Sequence, residues 1–171
     1  MMDFLNRLEQ SVFSRWVLES GSIWAYPMIL FLHTVGMALV AGISAVIDLR
    51  LLGFASRMAI KPLERLYPLI WIGFGINLVT GTTLLVADAT TKATNPDFYV
   101  KMVFVFTGVG ILWVMRSSVF ADPKVDEAPV SARTRGLALL SLICWVGAVT
   151  SGRLLAYVGP VSGLPGGLHA K

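Results

Sequence analysis

The stretch from Ile23 to Gly53, IWAYPMILFLHTVGMALVAGISAVIDLRLLG, decides the fold. Its residues 23–47 include no Asp, Glu, Lys or Arg, and as a helix they would rise roughly 37 Å. That rise exceeds the ~30 Å hydrocarbon core of a bilayer. Trp24 and Tyr26 lie at one end, where aromatic side chains prefer the headgroup region, and Asp48 ends the apolar run at the other. The stretch is therefore predicted to cross a membrane.

The composition of the whole chain supports the same class of protein. Of the 171 residues, 56% are hydrophobic and 14% are charged, whereas a soluble domain has about 25% charged residues. The formal net charge is +4, but the basic residues are concentrated in short loops between apolar segments rather than on one helix. We therefore exclude nucleic acid as a partner. The single cysteine, Cys144, excludes an intramolecular disulfide and a multi-cysteine metal site.

Further segments complete the predicted architecture. Residues 69–87, 99–115 and 136–157 are long apolar runs, so together with residues 23–47 they give four predicted transmembrane helices. Residues 2–19 have apolar side chains at helical spacing between charged ones, which predicts an amphipathic helix in the interface of the lipid bilayer. The expected fold is all-α: a single-domain integral membrane four-helix bundle with an N-terminal amphipathic interfacial helix.

The distribution of basic residues predicts the orientation of the chain. Eight of the 14 Lys and Arg residues lie in or beside the first and third loops between spans. The other six are divided among the N-terminal segment, the second loop and the C-terminal end. Because cytoplasmic loops are enriched in basic residues, we expect a bacterial inner-membrane protein with both termini in the periplasm.

His33 is the most unusual side chain in the predicted membrane region. It lies about ten residues, or roughly 15 Å, inside the first span, and an ionisable group at that depth indicates a functional site by default. Asn77 lies at a similar depth in the second span, and Lys101 and Arg153 lie toward the same end of the third and fourth. A structural role stays open, in which neutral His33 hydrogen-bonds Asn77, Ser44 or a backbone carbonyl.

Haem b is the first cofactor that the pattern suggests. An imidazole nitrogen of His33 would ligate the iron, and Gly36 beside it would make room for the flat ring. Lys101 or Arg153 would neutralise the propionates. Bis-histidine ligation needs a second membrane histidine, and His169 lies in the C-terminal segment. The iron would therefore be five-coordinate, or would take a Met or the His33 of a second subunit. The candidate cofactor-binding residues are His33, Gly36, Asn77, Lys101 and Arg153.

Copper is the alternative metal. His33 and Met37 are one helical turn apart, and an imidazole with thioether sulfur suits Cu(I). Met28 or Met102 would supply a further sulfur. A third possibility is a purely structural or assembly subunit without a cofactor. No Ser-His-Asp set, P-loop, dinucleotide fingerprint, HExxH or CxxC occurs in the sequence, so we assign no catalytic residue.

Several motifs together resemble those of a group of uncharacterised small bacterial four-helix inner-membrane proteins. The first is W-x-Y-P…L-H-x-x-G-x-A-L…D-L-R-L-L-G, from Trp24 to Gly53. Further matches are Thr80-Gly81, N-P-x-F-x-x-K at residues 95–101, S-x-x-x-W at residues 141–145 and G-R-x-x-A-Y at residues 152–157. The resemblance covers about residues 22–158. It implies the same fold and location, without an established activity.

The L-H-x-x-G and N-P-x-F-x-x-K motifs also look like features of two better-known groups. These are the copper-resistance D-type membrane proteins and the HemJ-type protoporphyrinogen oxidases, which bind haem b. In the second group a membrane His and a Lys are important, and they would correspond to His33 and Lys101. The other histidines and flanking motifs of those groups are absent here. The likeness implies haem or copper without deciding between them, and it adds an oxidase as an enzymatic possibility.

The leading functional hypothesis is a non-catalytic, haem b-binding membrane subunit that serves electron transfer, with His33 as an axial ligand. We expect a homo-oligomer or a complex with other membrane subunits. The reason is that small residues recur at four-residue spacing, as in Gly147/Ser151 and Ala148/Gly152, and such pairs favour close helix contacts. Copper handling and a structural role are the alternatives.

Overall fold

The computed structural model describes residues 2–122, 125–127 and 129–157, so Lys124 and His169 lie outside the described residues. Within these ranges the chain is all-α, which confirms the predicted fold class. The elements are α1 (Met2–Glu9), α2 (Val12–Glu19), α3 (Tyr26–Leu52), a 3₁₀ turn (Lys61–Leu66), α4 (Tyr67–Ala87), α5 (Ala89–Thr94), α6 (Pro96–Ser118) and α7 (Ala132–Tyr157).

Four helical stretches in the described chain are long and apolar enough to cross a membrane. They are Tyr26–Leu52, Lys61–Ala87, Pro96–Ser118 and Ala132–Leu155, and they correspond to the four predicted spans. The chain therefore has the architecture of a multi-pass membrane protein. The helices extend beyond the apolar runs, because a charged side chain limits the hydrocarbon-embedded part of a helix and not its hydrogen bonding. α3 continues past Asp48 and ends at Gly53, whose φ of 110° favours glycine.

The spanning helices form an open array. α3 packs against α4 on one side and α7 on the other, and α6 packs against α7. α4 and α6 do not pack closely against each other, so a cleft remains between them. Large apolar side chains fill the rest of the interior, among them Val40, Ile47, Leu51, Tyr67, Leu112, Met115 and Phe120.

The N-terminal segment differs from the single helix predicted for residues 2–19. It forms two short helices, because Ser11 caps α2 by accepting a hydrogen bond from the Ser14 backbone N–H at 3.2 Å. Ser14 Oγ donates to the Val86 carbonyl at 3.1 Å, and the Glu9 carboxylate accepts bonds from the backbone N–H and hydroxyl of Thr90. α1 and α2 are thus docked on the end of α4 and on α5. Large apolar side chains stay exposed, as a membrane-interface segment requires: Phe4, Val12, Phe13 and Trp16.

Two loops are joined at the other ends of the helices. The Asp126 carboxylate accepts hydrogen bonds from the backbone N–H groups of Ile60 at 2.5 Å and Lys61 at 3.1 Å. Lys61 Nζ donates to the Phe120 carbonyl and pairs with Glu64 at 2.9 Å. The loop between α3 and α4 is therefore fastened to the loop between α6 and α7.

Candidate functional site

The cleft between α4 and α6 is the candidate functional site. Its cavity volume is about 160 Å³, and about 780 Å³ of empty space lies along the cleft when its open side is counted. Its walls are mostly apolar, with polar and sulfur-containing side chains among them. Those that bear on its chemistry are His33 and Met37 from α3, Asn77 from α4, Lys101 and Met102 from α6, and Trp145 from α7.

The imidazole of His33 is hydrogen-bonded to α4. Its Nδ1 lies 3.0 Å from the hydroxyl of Thr80. That hydroxyl donates its one proton to the Ile76 carbonyl at 2.6 Å, so toward His33 it can only accept. This hydrogen-bond network assigns the ring proton to Nδ1 and leaves a free lone pair on Nε2. The partner expected from the sequence was Asn77, Ser44 or a carbonyl; the backbone of Asn77 does interact with the imidazole, and the hydroxyl of Thr80 is a further partner that was not expected.

Two lysines bring positive charge toward His33. Lys101 and Lys92 both act on the imidazole electrostatically. Lys92 lies outside the spans on α5, where its Nζ donates to the Leu84 carbonyl at 2.8 Å. Burial lowers the pKa of Lys92, and the nearby Asp88 carboxylate opposes that change. The two lysines therefore make the site electropositive.

Glycines determine how closely α3 and α4 approach each other. A Cβ at Gly81 would lie 3.2 Å from His33 Cε1, so Gly81 provides the space in which the imidazole lies. The role expected for Gly36 needs correction. A Cβ there would lie 2.9 Å from both the Gly73 carbonyl oxygen and Asn77 Nδ2, so α4 already occupies the space assigned to a haem ring. Gly36 is a helix-contact residue outside the cleft lining.

Lys101 is the cation that lines the cleft. The ion pairs found in the described residues, Lys61–Glu64 and Lys92–Asp88, do not include it. Its Nζ lies against α7, 3.7 Å from the position that a Cβ on Gly152 would take. Arg153 is exposed and lies outside the lining. Of the two cations predicted to neutralise propionates, the structure therefore brings only Lys101 to the site.

Of the remaining candidate residues, some line the cleft and others do not. Met37 and Met102 line the cleft together with His33, whereas Met28 does not. Asn77 Oδ1 is buried without a hydrogen-bond partner in the described chain, which leaves an acceptor in the cleft wall. The structure thus brings together His33, Met37, Asn77, Lys101 and Met102.

Comparisons with protein-family models, curated proteins and solved structures found no match. The resemblance to small bacterial membrane proteins therefore stays a prediction, and a functional proposal rests on the cleft itself.

Thr80 is the site residue whose role was missed in the sequence. It follows Asn77 by three positions and precedes Gly81, and on a helix these three share a face. That spacing indicates that the Thr80 hydroxyl lies beside the side chain for which Gly81 leaves space. The aromatic residues Phe74 and Phe106 also line the cleft. The sequence does not identify them as lining residues. Within a long apolar run, an apolar residue that lines a cleft cannot be told from one that faces lipid.

Proposed function

We propose that the protein is a haem b-binding, non-catalytic membrane subunit that serves electron transfer. The hydrogen-bond arrangement at His33 supports the proposal most. Because Thr80 accepts from Nδ1, Nε2 is the nitrogen that would ligate the iron. Metal-bound histidines almost always donate their other ring N–H to a fixed acceptor, which sets the tautomer and the ring orientation. His33 and Thr80 have this arrangement.

The cleft is also suited to a flat, acidic and apolar group. Aromatic side chains line it, including Phe74, Phe98 and Phe106. Lys101 would balance the negative charge of a propionate. The cavity is smaller than the ~300–1,000 Å³ of typical ligand pockets, and it is open on one side. A bound haem would therefore keep one edge in the gap between α4 and α6.

The sulfur atoms favour electron transfer over oxygen chemistry. When bound, haem would supply a one-electron redox centre. Met37 and Met102 line the same cleft as His33, so either thioether would be available to hold the iron together with the imidazole. His/Met ligation would raise the reduction potential. A redox partner would be a second copy or another subunit in the bacterial inner membrane, with the termini of this chain in the periplasm.

A reduced-minus-oxidised optical spectrum of the protein in mild detergent tests the proposal. We expect a sharp reduced α-band in the wild type and none in His33→Ala. Met28→Leu is the matched control, because Met28 lies outside the cleft lining, and it should retain the wild-type band. Met37→Leu or Met102→Leu should shift the band, according to which sulfur ligates. A wild-type sample with no α-band and no iron by elemental analysis would contradict the proposal.

A cuprous ion is the second candidate, favoured by one imidazole and two thioethers in the same cleft. The positive charge of Lys101 opposes a bare metal cation and favours an acidic ligand. Elemental analysis separates the two: copper without haem, lost in His33→Ala and Met37→Leu, would support copper handling. A sample with neither metal, and with His33→Gln as stable as the wild type, would support a structural or assembly subunit.

A further inference from the structure

A second group of buried polar side chains lies in the interior, away from the cleft mouth. Asp48, Ser44 and Ser141 are 0% exposed, and neither carboxylate oxygen of Asp48 has a hydrogen-bond partner of normal geometry in the described chain. The Tyr67 hydroxyl and Trp145 Nε1 are likewise buried without a partner. We call these five side chains the Asp48 cluster. Buried polar atoms are normally hydrogen-bonded, so this set requires an explanation.

The side chains of the Asp48 cluster come from three helices, α3, α4 and α7. Ser44 and Asp48 are one turn apart on α3, and Ser141 and Trp145 are one turn apart on α7, which packs against α3. Ser141 is the polar neighbour of the Asp48 carboxyl on α7. Tyr67, at the start of α4, is close enough for Asp48 to act on it electrostatically. Asp48, Ser141 and Tyr67 therefore lie in one interior region. Ser44 and Trp145 lie one helical turn from Asp48 and Ser141, and the Trp145 ring packs against Gly108 of α6.

No positive charge in the described residues balances Asp48. The guanidinium of Arg116 lies over the ring of Tyr67, 5.7 Å from its centroid, and forms no ion pair with Asp48. Arg50 donates instead to the carbonyls of Met58 and Ser56 in the following loop. An ionised carboxylate without a partner is very unfavourable in an apolar interior, so the carboxyl must take up a cation or a proton.

The chemistry of the cluster favours a proton with internal water over a metal cation. Trp145 Nε1 is a donor only and would repel a cation, whereas the hydroxyls of Ser44, Ser141 and Tyr67 can both donate and accept. A set of mixed donors and acceptors is what buried water molecules bind. A protonated Asp48 would likewise both donate and accept.

The cluster also reaches the cleft. The ring of Trp145 lines the cleft while its Nε1 belongs to the cluster, and Val40, another lining residue, precedes Ser44 by one turn. From Val40 to Asp48 the helix rises ~12 Å. Polar groups therefore extend from the floor of the cleft toward the end of α3, where the joined loops lie.

We propose that Asp48 is a proton-binding site that exchanges its proton through internal water along this cluster, between the cleft floor and the loop end of the bundle. Tyr67 of α4 is the titratable group that faces it, and Ser141 is the polar group from α7; Arg116 of α6 and Glu64 of the 3₁₀ turn act on Tyr67 in turn. The proposal is independent of the haem proposal, because it needs no occupant of the cleft.

Infrared spectroscopy of the full chain in lipid nanodiscs, in H₂O and in D₂O at neutral pH, tests this proposal. We expect the C=O stretching band of a protonated carboxyl group, lost in Asp48→Asn and shifted to lower frequency in D₂O. Asp3→Asn is the matched control, because Asp3 is exposed on α1, and it should leave the band in place. Absence of an Asp48-dependent band, or a band that does not shift in D₂O, would overturn the proposal.

Ser141→Ala is a second variant that keeps the proposal testable if Asp48→Asn fails to fold. It retains the carboxyl and removes the α7 hydroxyl that would share internal water with it, so the acid band should remain and move to higher frequency as the carboxyl loses that water-mediated hydrogen bonding. An unchanged band frequency in Ser141→Ala would show that the carboxyl and the cluster are not linked, and would equally overturn the proposal.

Discussion

A neutral imidazole can hold its proton on either nitrogen, and at residue 33 the choice depends on one hydroxyl. Thr80 donates to Ile76 within its own helix and is left as an acceptor for Nδ1 of His33. Without that acceptor, the proton could move to Nε2 and block the lone pair that a metal needs. Whether His33 of α3 can ligate a metal through Nε2 therefore depends on the Thr80 side chain of α4.

Thr80→Val tests this dependence, because valine has nearly the shape of threonine and no hydroxyl. We expect haem affinity to fall about 10- to 100-fold, the usual effect of removing a hydrogen-bond partner of a ligating histidine. Titration of haem into the haem-free protein measures the change. Thr80→Ser, which restores the hydroxyl, should recover most of the affinity.

Thr83→Val is the control for this experiment. Thr83 is half-buried on the same helix and lies outside the cleft lining, and its hydroxyl donates to the Val79 carbonyl of that helix at 2.9 Å. Its loss should leave haem affinity at the wild-type value. Equal losses in the Thr80 and Thr83 valine variants would mean that the effect comes from the helix and not from His33.

At the scale of helices, the crossing of α3 and α4 is a contact between backbones. A Cβ at Gly73 would lie 2.7 Å from Leu39 Cβ and 3.0 Å from the Gly36 carbonyl oxygen. Such close approach is typical of small-residue helix crossings in membranes. It also brings Thr80 and Gly81 to His33, so the crossing positions the site as well as stabilising the fold.

Gly36→Ala should weaken this crossing. The added methyl group would meet backbone and not only a flexible side chain, so α3 and α4 must separate. We expect the free energy of unfolding in detergent to fall by about 1–3 kcal/mol, the range for overpacked sites. Gly42→Ala is the matched control on the same helix, because nothing lies within 4 Å of its Cβ position. It should be neutral or stabilising by up to about 1 kcal/mol, and equal destabilisation by both changes would refute the crossing argument.

Some features of the helices could be predicted from the sequence and others could not. The four spans were predictable because a bilayer imposes long apolar runs, and the depth of His33 follows from the rise per residue. The rotation of each helix about its axis was not predictable. Gly36 was therefore expected to face a ring but faces Gly73, and Asp48 was expected at the membrane boundary but is buried against α7. The break at Ser11 was missed because helical spacing continues through it.

At the scale of the whole molecule, the carboxylate of Asp126 joins the two helix pairs at the loop end, beside the hydrogen bond from Lys61 Nζ to the Phe120 carbonyl. Asp126 accepts from two consecutive backbone N–H groups, those of Ile60 and Lys61, where the chain enters the second spanning stretch. The connection therefore links the α3–α4 loop to the α6–α7 loop across the bundle.

Asp126→Ala should loosen this connection. Hydrogen bonds to a charged group contribute about 1.5–3 kcal/mol each, and in an exposed loop we expect a total loss of about 1–3 kcal/mol in unfolding free energy. Thermal unfolding in detergent measures it, together with faster amide exchange at Ile60 and Lys61. Glu127→Ala, at the next and equally exposed position, should change neither quantity. Wild-type amide exchange in Asp126→Ala would show that other contacts hold the loops together.

For the proposed haem site, the gap between α4 and α6 would also determine whether the relevant ligand concentration is that in the lipid or that in water. A site that opens sideways takes its ligand from the lipid phase, so its occupancy follows the mole fraction of ligand among lipids and not the molarity in water. A ligand that partitions strongly into bilayers fills such a site even when its intrinsic affinity is modest. Adding detergent then empties the site by dilution, whereas adding buffer does not.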